Sequence, residues 1–258
     1  MEKAYLQESI MKLSRRQKRM LEQGKVEESD FLRDKALKTR IIKPITDNQK
    51  QAFEDFYDDQ NLLLTGSAGT GKTFIACYLG LSEILQRPEV YDSLTIVRSV
   101  VPTRDMGFIP GKIHEKQQVY EMPYTAIFQE LSLDDDRRFY DRLKSEGLVN
   151  FISTSFIRGH TLKNSIIIVD EIQNMNFNEL WTVITRVGKN CRIIFCGDIK
   201  QNDLYNQRQE SGFKNFFKIL NSMESFSTTE FNINDIVRSD MVKEFIATAD
   251  KLSISPNT

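Results

Sequence analysis

The sequence predicts an α/β fold in which a mostly parallel sheet is covered by helices on both faces. Three observations carry that expectation. The runs NLLLTG at 61–66, SLTIVRS at 93–99, SIIIVDE at 165–171 and CRIIFCGD at 191–198 are rich in branched apolar residues and read as strands buried on both sides. Stretches with helical spacing of large apolar residues separate them. Strands of that kind, alternating with helices, bury both sheet faces by packing helices on each.

Residues 1 to about 40 are charged, poor in glycine and helix-prone, a basic helical extension ahead of a single domain at 41–258. The segment IIKPITDNQKQAFEDFYDDQ opens extended around Pro44, and Thr46 or Asp47 then caps a helix through Ala52, Phe53 and Phe56. NLLLTG follows as a strand, FIACYLGLSEIL at 74–85 as a helix, and Arg87-Pro88 as its end. After SLTIVRS comes a polar, partly helical insertion around 102–147, with turns at MGFIPGK and a helix in DDDRRFYDRLKSEG. The strand pattern resumes in LVNFISTSF at 148–156 and SIIIVDE, followed by a helix in FNELWTVITRVG at 177–188 and the strand CRIIFCGD. SFSTTEF at 225–231 reads as a short strand or loop, and DIVRSDMVKEFIATADKL at 235–252 as a helix.

With 258 residues and 40% apolar composition the chain has ample material for a core. No apolar run approaches the roughly 20 residues that cross a bilayer, and the first residues lack the apolar stretch of a secretion signal, so a cytoplasmic protein without a membrane partner is expected. Cys77, Cys191 and Cys196 lie in or beside apolar stretches without metal-ligand spacing and are expected as buried thiols. Two histidines, His114 and His160, are too few for a histidine-built metal site. Net charge is −1, yet residues 1–43 hold twelve Lys or Arg against seven Asp or Glu, a local +5. Within them RRQKR, with Arg15, Arg16, Lys18 and Arg19, suits a phosphate-rich partner and suits a solvated helix face equally well.

The run NLLLTGSAGTGKTFIA contains G-x-x-x-x-G-K-[ST] as Gly66, Gly71, Lys72 and Thr73, with Ser67, Ala68, Gly69 and Thr70 between them. It follows a strand and opens a helix, the context that phosphate binding requires. The glycines let successive amides converge on phosphates, Lys72 offers a charge, and Thr73 offers a hydroxyl for magnesium. A magnesium site then needs a carboxylate from a neighbouring strand. Asp170 stands at the tip of IIIV for that role, with Glu171 next along to polarise the attacking water. Gln173 in DEIQ and Gln201 in GDIKQND are candidates to sense the terminal phosphate, and Asp198 closes a third such strand. Arg158 and Arg238 are candidate charge-neutralising residues, an ordinary surface ion pair being the alternative for each. Phe108, Tyr120, Tyr124 and Phe128, near Arg104, Lys112 and Lys116, could stack bases and hold a backbone, with core packing as the alternative.

The ordering GSAGTGKT, VRSVVPTRDMGFIPGKIHEK, SFIRGHTLKNSIIIVDEIQN, TRVG and CGDIKQNDL resembles the PhoH-like family of ATPases over roughly residues 41–245. The resemblance implies a RecA-like three-layer P-loop NTPase core, related to the first motor domain of superfamily 1 helicases. It also implies ATP hydrolysis with Mg2+, association with RNA or single-stranded DNA, a homo-oligomeric, hexameric ring, and a bacteriophage source, hence host cytoplasm. In its terms Lys72 and Thr73 are the phosphate-loop lysine and hydroxyl, Asp170 and Glu171 the metal-site and catalytic carboxylates, and Gln201 the glutamine after the third motif. Gln49 takes the place of an adenine-reading glutamine, and Arg238 that of a late arginine in a V-R pair. His160 departs from the family's R-G-R-T-L pattern, and residues 1–40 fall outside the resemblance. With 13 residues after position 245, no second RecA-like domain is expected, so a motor would use neighbouring subunits. A ring would bring a neighbour's Arg238, or failing that Arg158, to the terminal phosphate.

Two other functions share the phosphate loop. A small-molecule kinase needs an acceptor pocket and usually a mobile lid, whereas DEIQ and GDIKQ fit water activation and phosphate sensing better. A nucleotide-controlled switch would answer to a protein partner instead of a nucleic acid.

Overall fold

Among the described residues six strands form one sheet: Asn61–Gly66 (β1), Ser93–Arg98 (β2), Val149–Ser153 (β3), Ser165–Asp170 (β4), Cys191–Cys196 (β5) and Phe226–Phe231 (β6). Their order is β3-β2-β4-β5-β1-β6, and every pairing is parallel. The structure, a computed structural model, describes residues 39–67, 69–99, 113–159, 161–198 and 207–252, with the backbone alone at 113–117, 207–213 and 250. The chain divides into two compact units, 1–39 and 40–258, and the fold is that of the second.

The helices are Asp47–Tyr57 (α1), Lys72–Gln86 (α2), Ile113–Leu131 (α3), Phe139–Ser145 (α4), Phe177–Ile184 (α5), Gln207–Asn221 (α6) and Asp240–Lys251 (α7). All six residues of β4 are buried, as a strand covered on both faces must be. On one face Leu63, Ile167, Val169 and Phe195 pack with Leu180 and Val183 of α5 and Leu220 of α6. On the other, α2 lies along β2, β4 and β5 while α1 lies along β1 and β6. The result is the three-layer α/β sandwich of a RecA-like P-loop NTPase. No helix of the described residues is long and apolar enough to cross a membrane.

Several elements differ from the sequence reading for local reasons. Thr46 is the cap of α1, its hydroxyl accepting from Gln49 N at 3.3 Å. The helix expected over 177–188 stops at Ile184 because the backbone beyond it pairs with another segment: Leu162 N donates to Arg186 O and Gly188 N to Leu162 O. The helix in 134–147 is confined to Phe139–Ser145, and that in 235–252 begins at Asp240 after a separate 3-10 turn at Ile233–Asp235. SFSTTEF is a true strand, six residues in register with β1. Tyr120, Tyr124 and Phe128 are buried in α3, so they pack the interior and do not offer faces to bases, which corrects that expectation. Cys77 and Cys196 are buried free thiols, and Cys191 is half-buried.

Away from the crevice, buried Glu83 holds Arg87 at 2.6 Å and Arg192 at 3.3 Å, and the Arg192 guanidinium lies over the Phe56 ring at 3.7 Å. Removing the carboxylate leaves two buried cations with only the half-exposed Asp59, 3.3 Å from Arg87 and 3.7 Å from Arg192, as ion-pair partner. Glu83→Ala is therefore expected to cost about 3–5 kcal/mol in chemical denaturation, whereas a loss below about 1 kcal/mol would show that the cluster adds little.

Candidate nucleotide site

The carboxyl ends of β1, β4 and β5 border a crevice, where open parallel sheets hold ligands. One strand, β5, stands between the strand that leads into the glycine-rich loop and the strand that ends in Asp170. The carboxylate therefore comes from the next strand but one. At Gly66 φ is 114°, and a Cβ there would lie 1.8 Å from Phe231 O, so β6 closes on the loop only because no side chain is present. Gly69 and Gly71 continue the turn with φ of 79° and 84°, and Lys72 is the first residue of α2. Such a turn into a helix N-terminus directs amides and the positive end of the helix dipole at an anion.

Lys72 Nζ donates to Gly66 O at 2.8 Å and to Ser67 O at 2.7 Å, while Thr70 Oγ1 donates to Ser67 O at 2.9 Å. Burial pushes the Lys72 pKa down, opposed chiefly by Asp198 and more weakly by Glu171 and Asp170. Thr73 Oγ1 donates to Asp170 Oδ1 at 2.8 Å, and Tyr124 Oη donates to Asp170 Oδ2 at 2.7 Å. Both oxygens of the carboxylate are thus held in place. Burial, then the Asp170 charge, pushes the Tyr124 phenol well up, so it stays a neutral donor.

Glu171 follows with φ 55° and ψ 45°, a left-handed turn that ends the strand. Its carboxyl pKa is raised by burial and by neighbouring Asp170, against the pull of Arg98, Gln173 and Lys72. Gln173 Nε2 donates to Glu171 Oε2, and Gln173 Oε1 accepts from Asp198 N at 3.1 Å. One side chain therefore joins the end of β4 to the end of β5. A half-buried carboxyl with an elevated pKa, oriented by a neutral amide, has the properties of a general base.

A cavity of about 630 Å³ opens along these groups. Ile45, Gln49 and Phe53 line one part of it, and Lys72, Asp170 and Glu171 another. Gln49 Oε1 accepts from Ile45 N at 2.9 Å, which fixes this side chain within the cavity wall. Arg238 is also on the wall. Val237 N donates to Gly69 O at 3.1 Å, and an ideal Cβ on Gly69 would lie 3.5 Å from Arg238 Cγ. Arg238 thus sits beside the loop of its own chain, whereas the sequence reading has it reach a neighbour's site.

The structure brings together Gln49, Gly66, Ser67, Gly69, Thr70, Gly71, Lys72, Thr73, Asp170, Glu171, Gln173, Asp198 and Arg238 around one loop and one crevice. Arg158 is exposed after β3 and does not line the cavity. Ala68, Arg104, Phe108, Lys112, His160, Gln201 and the basic run at 15–19 lie outside the described residues, as do the side chains of His114 and Lys116. Two neighbours escape the sequence reading as site residues. Tyr124 reads there as a stacking ring, and its signal is that a phenol inside a core needs a hydrogen-bond partner. Arg98 ends β2 in register with Asp170, a placement visible only once the sheet order is known.

The family described as PhoH-like protein matches residues 41–250. The PhoH-like protein of Synechocystis sp. is 32% identical over 232 residues, covering 88% of this chain and 69% of that one. The PhoH-like protein of Mycobacterium leprae is 29% identical over 209 residues, covering 80% and 58%. Protein PhoH of Escherichia coli K12 is 28% identical over 225 residues, covering 85% and 61%. The chain spans less than two thirds of the length of these last two. Among solved structures, the large terminase of a thermophilic bacteriophage is 12% identical with a TM-score of 0.47, covering 79% of this chain and 50% of that one. Pif1 helicase of Candida albicans is 16% identical with a TM-score of 0.39, covering 82% and 44%.

Proposed function

The chain belongs to the PhoH-like family, and from that premise we propose that it hydrolyses ATP with magnesium and couples the reaction to binding or remodelling of RNA or single-stranded DNA as a homo-oligomer, a hexameric ring. The observation that supports the chemistry best is the meeting of Thr73 and Asp170 beside Lys72, with Glu171 next along the chain.

A hydroxyl and a carboxylate oxygen 2.8 Å apart are hard donors of the type magnesium takes, so the residues fit the metal. Magnesium held by Thr73 and Asp170 would neutralise charge on the β- and γ-phosphates. Loop amides from Gly66 to Gly71 receive the phosphates, and Lys72 adds a point charge there. Glu171 takes a proton from the attacking water. Gln173 keeps that carboxylate aimed and ties it to the backbone of Asp198, so a change at the terminal phosphate would be felt at the tips of two strands. Arg238 adds positive charge from the same chain. Ile45, Gln49 and Phe53 form the part of the cavity suited to a base, an apolar wall with one amide.

The metal assignment has a binding readout. Asp170→Asn is expected to raise the magnesium concentration needed for tight binding of a fluorescent ATP analogue by about tenfold or more, with little change in magnesium-free binding. Tyr124→Phe removes one hydrogen bond to a charged group, commonly worth about 1.5–3 kcal/mol, and is expected to move the same titration in the same direction by a smaller factor. Equal effects of Asp170→Asn with and without the metal would place the metal elsewhere. Size-exclusion light scattering checks the assembly, and a strictly monomeric active protein would remove the ring.

A further inference from the structure

The segment after β3 is tied at two points to α5 and the turn that follows it. At its upper end Thr154 Oγ1 donates to Glu179 Oε1 at 2.8 Å. At its lower end Leu162 bridges Val187, and a Cβ on Gly188 would lie 2.5 Å from Leu162 O. Between these ties Ile157 is buried in the core that also holds Leu180 and Val183. The residues on either side of Ile157 are exposed. They are Phe156, 48% exposed, and Arg158; the outer face of α5 carries Trp181, 52% exposed, with the Phe177 ring 5.8 Å away one turn earlier.

The charge on this strip has one sign. Residues 154–163 and 180–190 contain no Asp or Glu, while they include Arg158, Lys163, Arg186 and Lys189, in a chain whose net charge is −1. None of these four pairs with a carboxylate among the described residues. Two carboxylates lie nearby and both are hydrogen-bonded elsewhere: Glu179 Oε1 accepts from Ser99 and Thr154 and Oε2 from Asn176 N, while Asp92 Oδ2, at the lower end, accepts from Asn164 Nδ2 at 3.0 Å. Exposed aromatic rings interleaved with unpaired cations match the chemistry of a single nucleic-acid strand, whose bases stack on rings and whose phosphates need positive charge. A protein-binding surface tends to concentrate apolar residues at its centre and to lose charge there.

We propose that this strip, between the β3–β4 connection and α5, binds single-stranded nucleic acid, with bases stacked on Trp181 and Phe156 and backbone phosphates met by Arg158, Lys163 and Lys189. It rests on the nucleic-acid reading above and assigns that reading a surface distinct from the buried aromatics of α3. Trp181 and Phe156 do not line the nucleotide cavity, so altering Trp181 leaves basal ATP hydrolysis in place.

Trp181 is the only tryptophan in the chain, so its emission reports on this surface alone. Single-stranded RNA and DNA oligomers of about 12 nucleotides, within the usual site sizes for such strands, would be titrated into the full chain. Trp181 emission and the anisotropy of a dye on the oligomer would be followed together. Saturable quenching at the concentration where anisotropy rises is expected. Trp181→Ala is expected to weaken binding about tenfold, as loss of one stacked base implies, while Trp181→Phe retains most of it. Arg158→Gln is expected to reduce the slope of log affinity against log salt by about 0.7. The RNA and DNA arms identify which strand is preferred. If the oligomer binds with unaltered Trp181 emission and equal affinity in Trp181→Ala, the strip is not the site and the nucleic-acid reading stands. If neither RNA nor DNA binds with or without ATP, both fall. Emission that changes with protein concentration alone would assign the strip to a second copy of the chain.

Discussion

Glu171→Gln is expected to bind ATP and magnesium close to normally while steady-state phosphate release falls by about 10²–10⁴-fold, the range for removing a general base. The amide keeps the size of the side chain and can still hydrogen-bond to Gln173, which at present donates to Glu171 Oε2. What it lacks is the ability to accept a proton from water. Asp170, held by Thr73 and Tyr124, is untouched, so metal-dependent binding survives. Equilibrium binding of a fluorescent ATP analogue and phosphate release, measured on the same preparation, separate the two properties. Unchanged turnover in this variant would end the assignment of Glu171.

Lys72→Ala is expected to lose about 10²–10³-fold in turnover, the scale for removing one group that stabilises developing charge, and to weaken ATP binding as well. The reason is the loop's own geometry. Lys72 is the point charge nearest the glycine-rich turn, and burial already disfavours its charged form, so an anion arriving there gains a strong partner. The fold should tolerate the change because Lys72 lines the open cavity and Thr70 Oγ1 still donates to Ser67 O. Thermal unfolding of the variant provides the control. A folded Lys72→Ala protein with normal affinity and turnover would show that the phosphates bind elsewhere.

Much of this architecture is legible in the residues because buried parallel strands announce themselves. SIIIVD is apolar enough to be covered on both faces, and the glycines at 66, 69 and 71 occupy the positions where the turn needs positive φ. The convergence of Thr73 and Asp170, 97 residues apart, is also foreseeable, since phosphate-loop chemistry demands a second carboxylate. Sheet order is not: nothing local says that β5 lies between β1 and β4. For the same reason Arg98 and Tyr124 go unrecognised as neighbours of the carboxylates. Aromatic residues mislead in a second way. A ring in a polar stretch reads alike whether it turns inward, as Tyr124 and Phe128 do, or outward, as Phe156 and Trp181 do, because one helix or loop leaves the choice to its packing partner. Arg238 draws notice in the sequence and lines the cavity, but which chain's nucleotide it faces depends on the backbone bond between Val237 and Gly69.

Metal-dependent ATP hydrolysis that answers to single strands is the central property to test. The most direct measurement is steady-state phosphate release by the full chain with magnesium, alone and with saturating single-stranded RNA, single-stranded DNA or duplex. A slow basal rate is expected that disappears with chelator and in Glu171→Gln, and that rises severalfold or more with at least one single strand but much less with duplex. Hydrolysis unaffected by every nucleic acid, or persisting at full rate in Glu171→Gln, would contradict it.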